Sequence, residues 1–332
     1  MEQAPILEVS ELQVEFKTRS GVARVLDNIG FSLSSGETLG IVGESGCGKS
    51  MTSLSIMGLV PTPPGRIVGG TIRLNGEDLL KASEARMREI RGNQISMIFQ
   101  EPMTALNPVF TVGDQIAETL ILHEGLSKRD ARGRAVEMLR AVKIPAPERR
   151  AHEYPHQLSG GMRQRVMIAM ALACKPSVLI ADEPTTALDV TVQAQVFELL
   201  KELQNTTNSA IILITHDMGV VAEVADRIAV MYAGRIIETA TTEELLENPR
   251  HPYTQGLIKC VPHLDLDMTD EREALYEIPG VVPPLTQLGA GCAFAERCPE
   301  KMPKCLVDKP PGFAVNGKHI AACWLEEEGA HS

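Results

Sequence analysis

The stretch GESGCGKS, residues 43–50, decides the fold. It follows the apolar run TLGIV, which predicts a buried strand, and precedes KSMTSLSIMGL, which predicts a helix. The spacing of Gly43, Gly48, Lys49 and Ser50 is that of G-x-x-x-x-G-K-[ST]. Glycines let such a turn wrap closely, so that its N–H groups and the helix N-terminus face an anion. The stretch therefore predicts a phosphate-binding loop.

Each residue of this loop has an expected part in phosphate binding. Lys49 supplies a positive charge, and the Ser50 hydroxyl can ligate Mg²⁺. The backbone of the loop and of the first helical turn would surround the phosphates. The candidate contacts are Gly43, Glu44, Ser45, Gly46, Cys47, Gly48, Lys49, Ser50 and Met51.

The run SVLIADEP, residues 177–184, predicts a buried strand that ends in two acids. Beside a phosphate loop, Asp182 would lie near the metal, and Glu183 would polarise the attacking water. A general base of this kind contributes about 10² to 10⁴ in rate. Without the loop, two acids after a strand are more often a solvated strand end.

A second helix start lies at LSGGMRQR, residues 158–165. Ser159 can cap this helix, while Gly160 and Gly161 leave backbone N–H groups open, as in an anion seat. A lone Ser-Gly-Gly before a helix is usually an ordinary cap.

The remaining pattern predicts an α/β fold. Alternating apolar residues from Leu7 to Phe16, a polar turn, and Val25 to Leu33 predict an antiparallel β subdomain. Residues from about 83 to 172 have mostly helical periodicity, which predicts an inserted helical subdomain. VLIAD and AIILITH predict that a parallel sheet then resumes, and IAVMYAGRIIE predicts a hairpin turning at Gly234. Beyond about Asn248 the chain becomes rich in proline and cysteine, which predicts a separate appendage.

LSGGMRQR, GESGCGKS and VLIADEP together resemble the signature set of ABC-type ATPases. The resemblance implies a P-loop NTPase core of mixed or parallel sheet that binds ATP and Mg²⁺. It implies that Gln100 binds the metal and contacts the membrane partner, that His216 contacts the γ-phosphate, and that Phe16 stacks on the adenine ring. Phe16 could equally be a core residue at a sheet edge, and a lone glutamine or histidine at a strand end is usually only solvated.

The resemblance also implies that two cassettes close over two ATP molecules. Ala187, Leu188 and Asp189 correspond to the loop that crosses that interface, and Ser159, Gly160, Gly161 and Gln164 to the segment that caps the partner's ATP. Lys49, Glu183 and His216 would be the catalytic residues, and Ser50, Gln100 and Asp182 the Mg²⁺ ligands. Cys47 lies at a helix N-terminus, where the pKa of a thiol tends to fall. We therefore expect alkylation of Cys47 to block ATP binding.

The C-terminal part of the sequence indicates which group of ABC-type ATPases the chain resembles. HPYTQGL from His251, the PGVVPP stretch and the cysteines that follow are similar to the extension of dipeptide and oligopeptide permease ATPases. The implied domains are the ATPase domain at 5–260, with its helical subdomain at about 88–172, and a small Cys-rich extension at 261–332. The implied partners are a second ATPase subunit, two integral membrane permease subunits and, through them, an extracytoplasmic solute-binding protein. Relatives in this group handle dipeptides, oligopeptides, nickel, glutathione or opines, so the solute stays open.

Four cysteines lie in the extension, at Cys292, Cys298, Cys305 and Cys323. A short, weakly apolar segment with four thiols is a plausible metal site. The resemblance implies a 4Fe-4S cluster, for which four thiolates are suitable ligands. Zinc and unligated thiols are the alternatives, although the paired C-x2-C knuckles of zinc sites are absent from the sequence.

Composition limits the other classes of function. The net charge of −11 argues against broad electrostatic capture of nucleic acid. The first residues resemble neither a secretion signal nor an anchor, so we expect the chain to begin in the cytosol. The resemblance to permease ATPases implies a peripheral protein on the cytoplasmic face of the membrane. A non-transport ATPase acting on nucleic acid or the ribosome is the main alternative. A scaffold that binds ATP without hydrolysing it is a second, but Glu183 and His216 are both present.

Overall fold

The computed structural model describes residues 4–19, 21–100, 105–185, 190–261 and 276–327. Strands are numbered in chain order: β1 (Leu7–Thr18), β2 (Gly21–Leu33), β3 (Thr38–Val42), β4 (Gly65–Leu74), β5 (Glu77–Asp78), β6 (Ile95–Ile98), β7 (Val178–Asp182), β8 (Ala210–Ile214), β9 (Arg227–Tyr232), β10 (Arg235–Thr241), β11 (Phe313–Asn316) and β12 (His319–Ala321). Helices are numbered likewise: α1 (Lys49–Ile56), α2 (Glu84–Ile90), α3 (Val112–Glu124), α4 (Lys128–Ala141), α5 (Pro147–Arg150), α6 (Gly160–Leu172), α7 (Val190–Thr207), α8 (Met218–Val224), α9 (Thr242–Glu247), α10 (Pro252–Lys259) and α11 (Pro303–Val307). Short 3₁₀ turns lie at Leu79–Lys81, Pro155–Gln157 and Trp324–Glu326.

The larger sheet has eight strands in the order β11-β12-β10-β9-β3-β8-β7-β6. Its centre is parallel, because β3 pairs in parallel with β8 and β9, and β7 pairs in parallel with β8 and β6. Every residue of β3, β6, β7 and β8 is buried. Such short, fully buried runs are typical of a parallel sheet that is covered on both faces. The other edge, from β9 to β11, is antiparallel, so the sheet is mixed.

The smaller sheet is antiparallel, in the order β2-β1-β4-β5. Its inward residues, such as Val14, Ile29 and Ile72, share one hydrophobic core with Ile41 of β3 and Ile56 of α1. This packing places the small sheet against the helix that follows the phosphate loop.

Three expected elements are confirmed. TLGIV and VLIAD are buried strands at the predicted positions. The hairpin between β9 and β10 turns at Ala233 and Gly234, which both have positive φ (45° and 82°). Two consecutive positive φ values are what a type I′ hairpin turn requires.

Two elements differ from the prediction. Residues 95–98, within the stretch expected to be mostly helical, form β6 and pair with β7. A four-residue apolar run has no usable period, so helix and strand cannot be told apart there. The C-terminal part is also less separate than expected, because β12 pairs with β10 and extends the main sheet. No helix among the described residues is both long enough and apolar enough to cross a membrane.

Candidate active site

Four loops meet at the carboxyl edge of the parallel strands. The phosphate loop follows β3, Gln100 follows β6, Asp182 ends β7 with Glu183 directly after it, and His216 follows β8. Neighbouring parallel strands deliver their carboxyl ends to one edge of a sheet, where ligands of open α/β folds bind. The sheet order therefore brings together residues that lie far apart in the sequence.

The phosphate loop turns tightly between β3 and α1. A Cβ atom at Gly43 would lie 2.2 Å from the carbonyl oxygen of Met231, on the neighbouring strand β9. At Gly48, the N-cap of α1 with φ 108°, a Cβ would lie 2.8 Å from Leu26. Only glycine fits at these two positions, because the loop backbone packs directly on the main sheet and on β2. This close packing leaves the N-terminus of α1 at the centre of the loop, as anion binding requires.

Lys49 lies inside the loop. Its side chain is buried, and Nζ donates to the carbonyl oxygens of Gly43 at 2.7 Å and Glu44 at 3.2 Å. The ammonium group is therefore held at the concave side of the turn. This is where a cation would meet a bound phosphate.

Ser50 and Asp182 form the pair expected for Mg²⁺. The Ser50 hydroxyl donates to Oδ1 of Asp182 at 3.1 Å, although the two residues are 132 positions apart. Burial raises the pKa of Asp182, and the neighbouring charge of Glu183 raises it further, while Ser50 and Lys49 oppose the shift. A divalent cation would offset both unfavourable effects, so the hydroxyl and the buried carboxylate fit a hard, oxygen-liganded metal.

Glu183 lies between Gln100 and His216, the two remaining candidate residues. Its Oε2 accepts a hydrogen bond from Gln100 Nε2 at 2.7 Å, and its Oε1 lies 3.5 Å from Nδ1 of His216. The residue has a φ of 46°, and its N–H donates to Ile214 of β8 at 2.8 Å. A left-handed backbone costs a non-glycine residue about 1 to 3 kcal/mol and persists where the surroundings enforce it. Glu183 is thus held at the sheet edge, with one predicted partner on each carboxylate oxygen.

Cys47 corrects one expectation. The thiol is fully buried beneath the loop, and burial raises its pKa instead of lowering it. The helix N-terminus would lower the pKa of the thiol, but burial has the larger effect because the side chain lies in the core shared with Ile41 and Ile56. Cys47 is therefore not the reactive thiol that the sequence suggested. Ser45 and Gly46 are exposed, and Met51 lies half-buried on α1.

The structure adds two residues that the sequence did not indicate. Tyr253 of α10 accepts a hydrogen bond from the N–H of Glu44 at 2.9 Å through its hydroxyl. Arg297 forms a two-pronged ion pair with the Glu44 carboxylate, at 2.7 and 2.9 Å. Tyr253 belongs to the HPYTQGL motif, which was a signal for the family but not for this contact. No sequence signal marks Arg297, because its partner is 253 positions away.

The Ser-Gly-Gly helix start is formed as expected. Ser159 is the N-cap of α6, and its Oγ accepts from the N–H of Met162 at 3.3 Å. A Cβ at Gly160 would meet nothing within 4 Å, so this helix start is open on that side. Gln164, in contrast, is buried on the inner face of α6, and its amide nitrogen has no hydrogen-bond partner among the residues that the structure describes.

Two further predictions have different outcomes. Phe16 is half-buried on β1, where its ring packs over Gly65, so a stacking role for its accessible part remains a prediction. Ala187, Leu188 and Asp189 lie outside the described residues.

The four C-terminal cysteines line one small cavity, together with His251, Phe294, Met302, Pro310 and Trp324. Burial raises the pKa of Cys298 to about 11 and that of Cys323 to about 12, and the charges of neighbouring cysteines add to both shifts. Over the described residues, no group of three or more His, Cys, Asp or Glu side chains is placed to hold a metal ion. The thiols thus converge on one apolar-walled space without meeting at the distances of a single ion.

Comparisons with known proteins agree with this site. Residues 26–186 match the ABC transporter family, and residues 237–305 match the family described as oligopeptide/dipeptide transporter, C-terminal region. The chain is 52% identical over 324 residues to the probable peptide ABC transporter ATP-binding protein y4tR of Sinorhizobium fredii, covering 97% of this chain and 96% of that one. It is 53% identical to the oligopeptide transport ATP-binding protein OppD of Bacillus subtilis, covering 96% of this chain and 88% of that one.

Solved structures extend the comparison to the fold. The dimeric bacterial ABC transporter cassette MJ0796 superposes with a TM-score of 0.64 at 28% identity, over 71% of this chain and 98% of that one. A post-hydrolysis dimer of the same cassette, bound to ADP and Pi, superposes with a TM-score of 0.63, at the same identity and coverage.

Proposed function

The chain belongs to the family of peptide ABC transporter ATP-binding proteins, and we propose that it binds and hydrolyses ATP to power an importer of dipeptides, oligopeptides or a related small solute. Family membership rests on 52% and 53% identity to such proteins over nearly the whole chain. The fold is the α/β ATPase cassette of that family, built on a mixed sheet. The observation that carries the proposal is the meeting of the phosphate loop, the Asp182–Glu183 pair, Gln100 and His216 at one sheet edge.

In the proposed reaction, the N–H groups of the loop and the Lys49 ammonium bind the phosphates of ATP. Ser50, Asp182 and Gln100 would hold Mg²⁺, which neutralises phosphate charge when bound. Glu183 orients the attacking water and accepts its proton, and it is held for this task by Gln100 on one oxygen and His216 on the other. His216 is two-thirds exposed, which leaves its ring accessible to a γ-phosphate.

A second cassette would complete the site. The helix start at Ser159 and Gly160 is exposed and open, so its N–H groups are suited to bind the ATP of a partner subunit. In this arrangement Gly161 would also lie at the interface, and the resemblance assigns Asp189, which is outside the described residues, to the same interface. The dimeric state of the similar cassette MJ0796 supports this step.

Two permease subunits would bind near α3, in the helical region at about 88–172. Phe110, Ile121 and Leu122 are exposed there and form a groove with Asp114 and Arg132. Exposed apolar side chains rimmed by charges are typical of protein interaction sites. An extracytoplasmic solute-binding protein would act through those subunits, and the chain would lie at the cytoplasmic face of the membrane. No nucleic acid takes part.

We place the ATPase domain at 5–260 and the extension at 261–332, and we assign a 4Fe-4S cluster to the extension. The support is the convergence of Cys292, Cys298, Cys305 and Cys323 on one cavity walled by Phe294, Met302 and Trp324. A cluster holds its four thiolates farther apart than a single ion does, which suits thiols that surround a space. Glu300 also lines the cavity, but four thiols against one carboxylate favour iron-sulfur over Mg²⁺ or Ca²⁺, which prefer oxygen ligands.

The cluster is tested on protein purified without oxygen. We expect about four iron and four sulfide ions per chain, lost together in Cys298→Ser and retained in Cys260→Ser, which is the matched control outside the cavity. Zinc without sulfide, or no metal at all, would contradict the assignment.

The transport function is tested by isolating the tagged chain from solubilised membranes and identifying the proteins that copurify. We expect a second ATPase subunit and two integral membrane proteins, together with ATPase activity that is lost in Lys49→Met. Recovery of ribosomes or nucleic acid instead would favour the non-transport alternative.

A further inference from the structure

Arg297 joins the C-terminal region to the phosphate loop. Its Nη1 and Nη2 lie 2.7 and 2.9 Å from the two carboxylate oxygens of Glu44, which is the second residue of the loop. A parallel two-bond fork between guanidinium and carboxylate is the strongest and most directional form of ion pair in proteins. We call this contact the Arg297–Glu44 clasp.

The guanidinium group is fully engaged. Nε donates to the carbonyl oxygen of Pro279 at 2.8 Å, Nη2 also donates to Ile278 at 3.2 Å, and Nη1 also reaches the Tyr232 hydroxyl at 3.3 Å. With the two bonds to Glu44, all five N–H groups of the side chain have an acceptor. The Arg297 side chain is only 6% exposed and also lies over the rings of Tyr232 and Phe294. Such a group cannot move without leaving several hydrogen bonds unmade in a buried place.

Glu44 is held from three directions. Arg297 binds its carboxylate, Tyr253 binds its N–H, and Lys49 binds its carbonyl oxygen. Two of these three contacts come from the part of the chain beyond β10. Glu44 lies directly after Gly43, whose position is fixed by the sheet, so holding Glu44 sets the direction in which the rest of the loop leaves β3. A loop that is ordered before the ligand arrives loses less entropy on binding.

We propose that Arg297 is a positioning residue for the ATP site, and that the C-terminal region sets the affinity of the phosphate loop through the Arg297–Glu44 clasp. The inference rests on the proposed ATPase function. Arg297 does not touch the nucleotide in this account, because it acts through Glu44 and the loop backbone. Cys298, the next residue, lines the four-cysteine cavity, so one short segment borders both sites.

The simpler explanation is that Arg297 only fastens the C-terminal region to the rest of the chain. The structure offers a matched control for that role. Lys309 also lies in the C-terminal region, and its Nζ is 2.8 Å from Oδ2 of Asp27 in β2. Lys309→Met removes an ion pair that fastens the same region at a point outside the phosphate loop.

The test compares ATP binding by the full-length chain and its variants, using calorimetry at fixed Mg²⁺, with circular dichroism and thermal unfolding on the same samples. In Arg297→Met we expect the Kd for ATP to rise about tenfold, which is within the usual range for coupling between two sites. Lys309→Met should bind ATP as the unaltered chain does, and Arg297→Lys should recover part of the affinity because one bond to Glu44 can be remade. In the assembled transporter KM should rise while kcat at saturating ATP changes little.

A double-mutant cycle separates the clasp from a general loss of stability. The effects of Arg297→Met and Glu44→Gln on Kd should be strongly non-additive, because each removes the same contact. If Arg297→Met does not fold, the Kd for ATP is measured for Arg297→Lys and Glu44→Gln and compared with that of the unaltered chain in the same way. Unchanged Kd in folded variants, or an equal rise in Lys309→Met, would overturn the proposal. Absence of ATP binding by the unaltered chain would instead refute the proposed function itself.

Discussion

Replacing Glu183 by glutamine tests the chemical centre of the site. The substitution keeps the shape of the side chain and the strained backbone at φ 46°, and it keeps one carbonyl oxygen that can accept from Gln100, now 2.7 Å away. What it removes is the group that can take a proton from water. Loss of a general base costs about 10² to 10⁴ in rate, which corresponds to about 3 to 5 kcal/mol in the activation barrier.

We therefore expect ATP hydrolysis in the Glu183→Gln transporter to fall at least about 100-fold. ATP binding should be retained, because Lys49 and the loop are untouched and one negative charge near the phosphates is gone. The assay is phosphate release from the assembled transporter, with ATP affinity and dimer formation measured on the same samples. Glu247→Gln, an exposed position on α9, is the matched control and should be fully active. Turnover in Glu183→Gln within a few-fold of normal would show that another group activates the water.

Four further outcomes follow from the geometry. Gly43→Ala should lower the free energy of unfolding by about 2 kcal/mol or more, because the added Cβ would overlap the Met231 carbonyl. Gly160→Ala is the control and should have the unfolding temperature of the unaltered chain, because the space around Gly160 is open. At pH 7 a maleimide should leave Cys47 unmodified in the folded chain and react with it only after denaturation, because burial raises the pKa of the thiol and keeps it protonated. Mass spectrometry follows the modification. Rapid modification of the folded chain would contradict the buried position. Asp182→Asn should raise the unfolding temperature in the absence of Mg²⁺ while abolishing ATPase activity. Because the folded state holds the Asp182 pKa above its ordinary value, the folded chain loses stability as pH rises from that ordinary value through the raised one, and the ionised carboxylate is destabilising above it. A lower unfolding temperature in the variant would show that the carboxylate is well compensated. Burial lowers the pKa of His251 to about 3, so below about pH 6.5 the unfolded chain binds a proton on this residue that the folded chain does not bind. At pH 5 this difference should lower the free energy of unfolding by about 2 kcal/mol. His251→Gln should not show this loss of about 2 kcal/mol when denaturant titrations at pH 5 and pH 7 are compared.

The strand-loop-helix at the phosphate site was predictable because its physics is local. A buried apolar run, glycines where the backbone must pass close to a neighbour, and a lysine at the helix start all lie within thirteen residues of sequence. The acids of β7 were predictable for the same reason. Their meeting with Ser50, Gln100 and His216 follows from the order of parallel strands, which places those loop ends at one edge.

What the sequence could not reveal depends on contacts between distant segments. Cys47 lies where the local rule lowers the pKa of a thiol, but tertiary packing buries it and reverses the direction. Likewise, β12 joins β10 because the buried pair of His319 and Glu238, at 2.8 Å, fastens the C-terminal strand to the main sheet. Neither residue forms a motif, and their separation of 81 positions hides the contact from any local pattern.

The exceptions to ordinary folding preferences gather at the same sheet edge as the motifs. Glu183 has a left-handed backbone, Asp182 is a buried acid whose pKa is raised, and Gly43 fits only because it has no side chain. Each costs stability, and stable folds keep such costs where function requires them. Mg²⁺ would relieve the charge on Asp182, and phosphate would bind the N–H groups of the tight turn that Gly43 allows. A ligand that relieves strain in the folded chain must also stabilise it, because it binds the folded state alone. The same edge is reached by Arg297 from the C-terminal region, so the affinity of the loop for ATP should follow the Arg297–Glu44 clasp itself and not the stability of the extension as a whole.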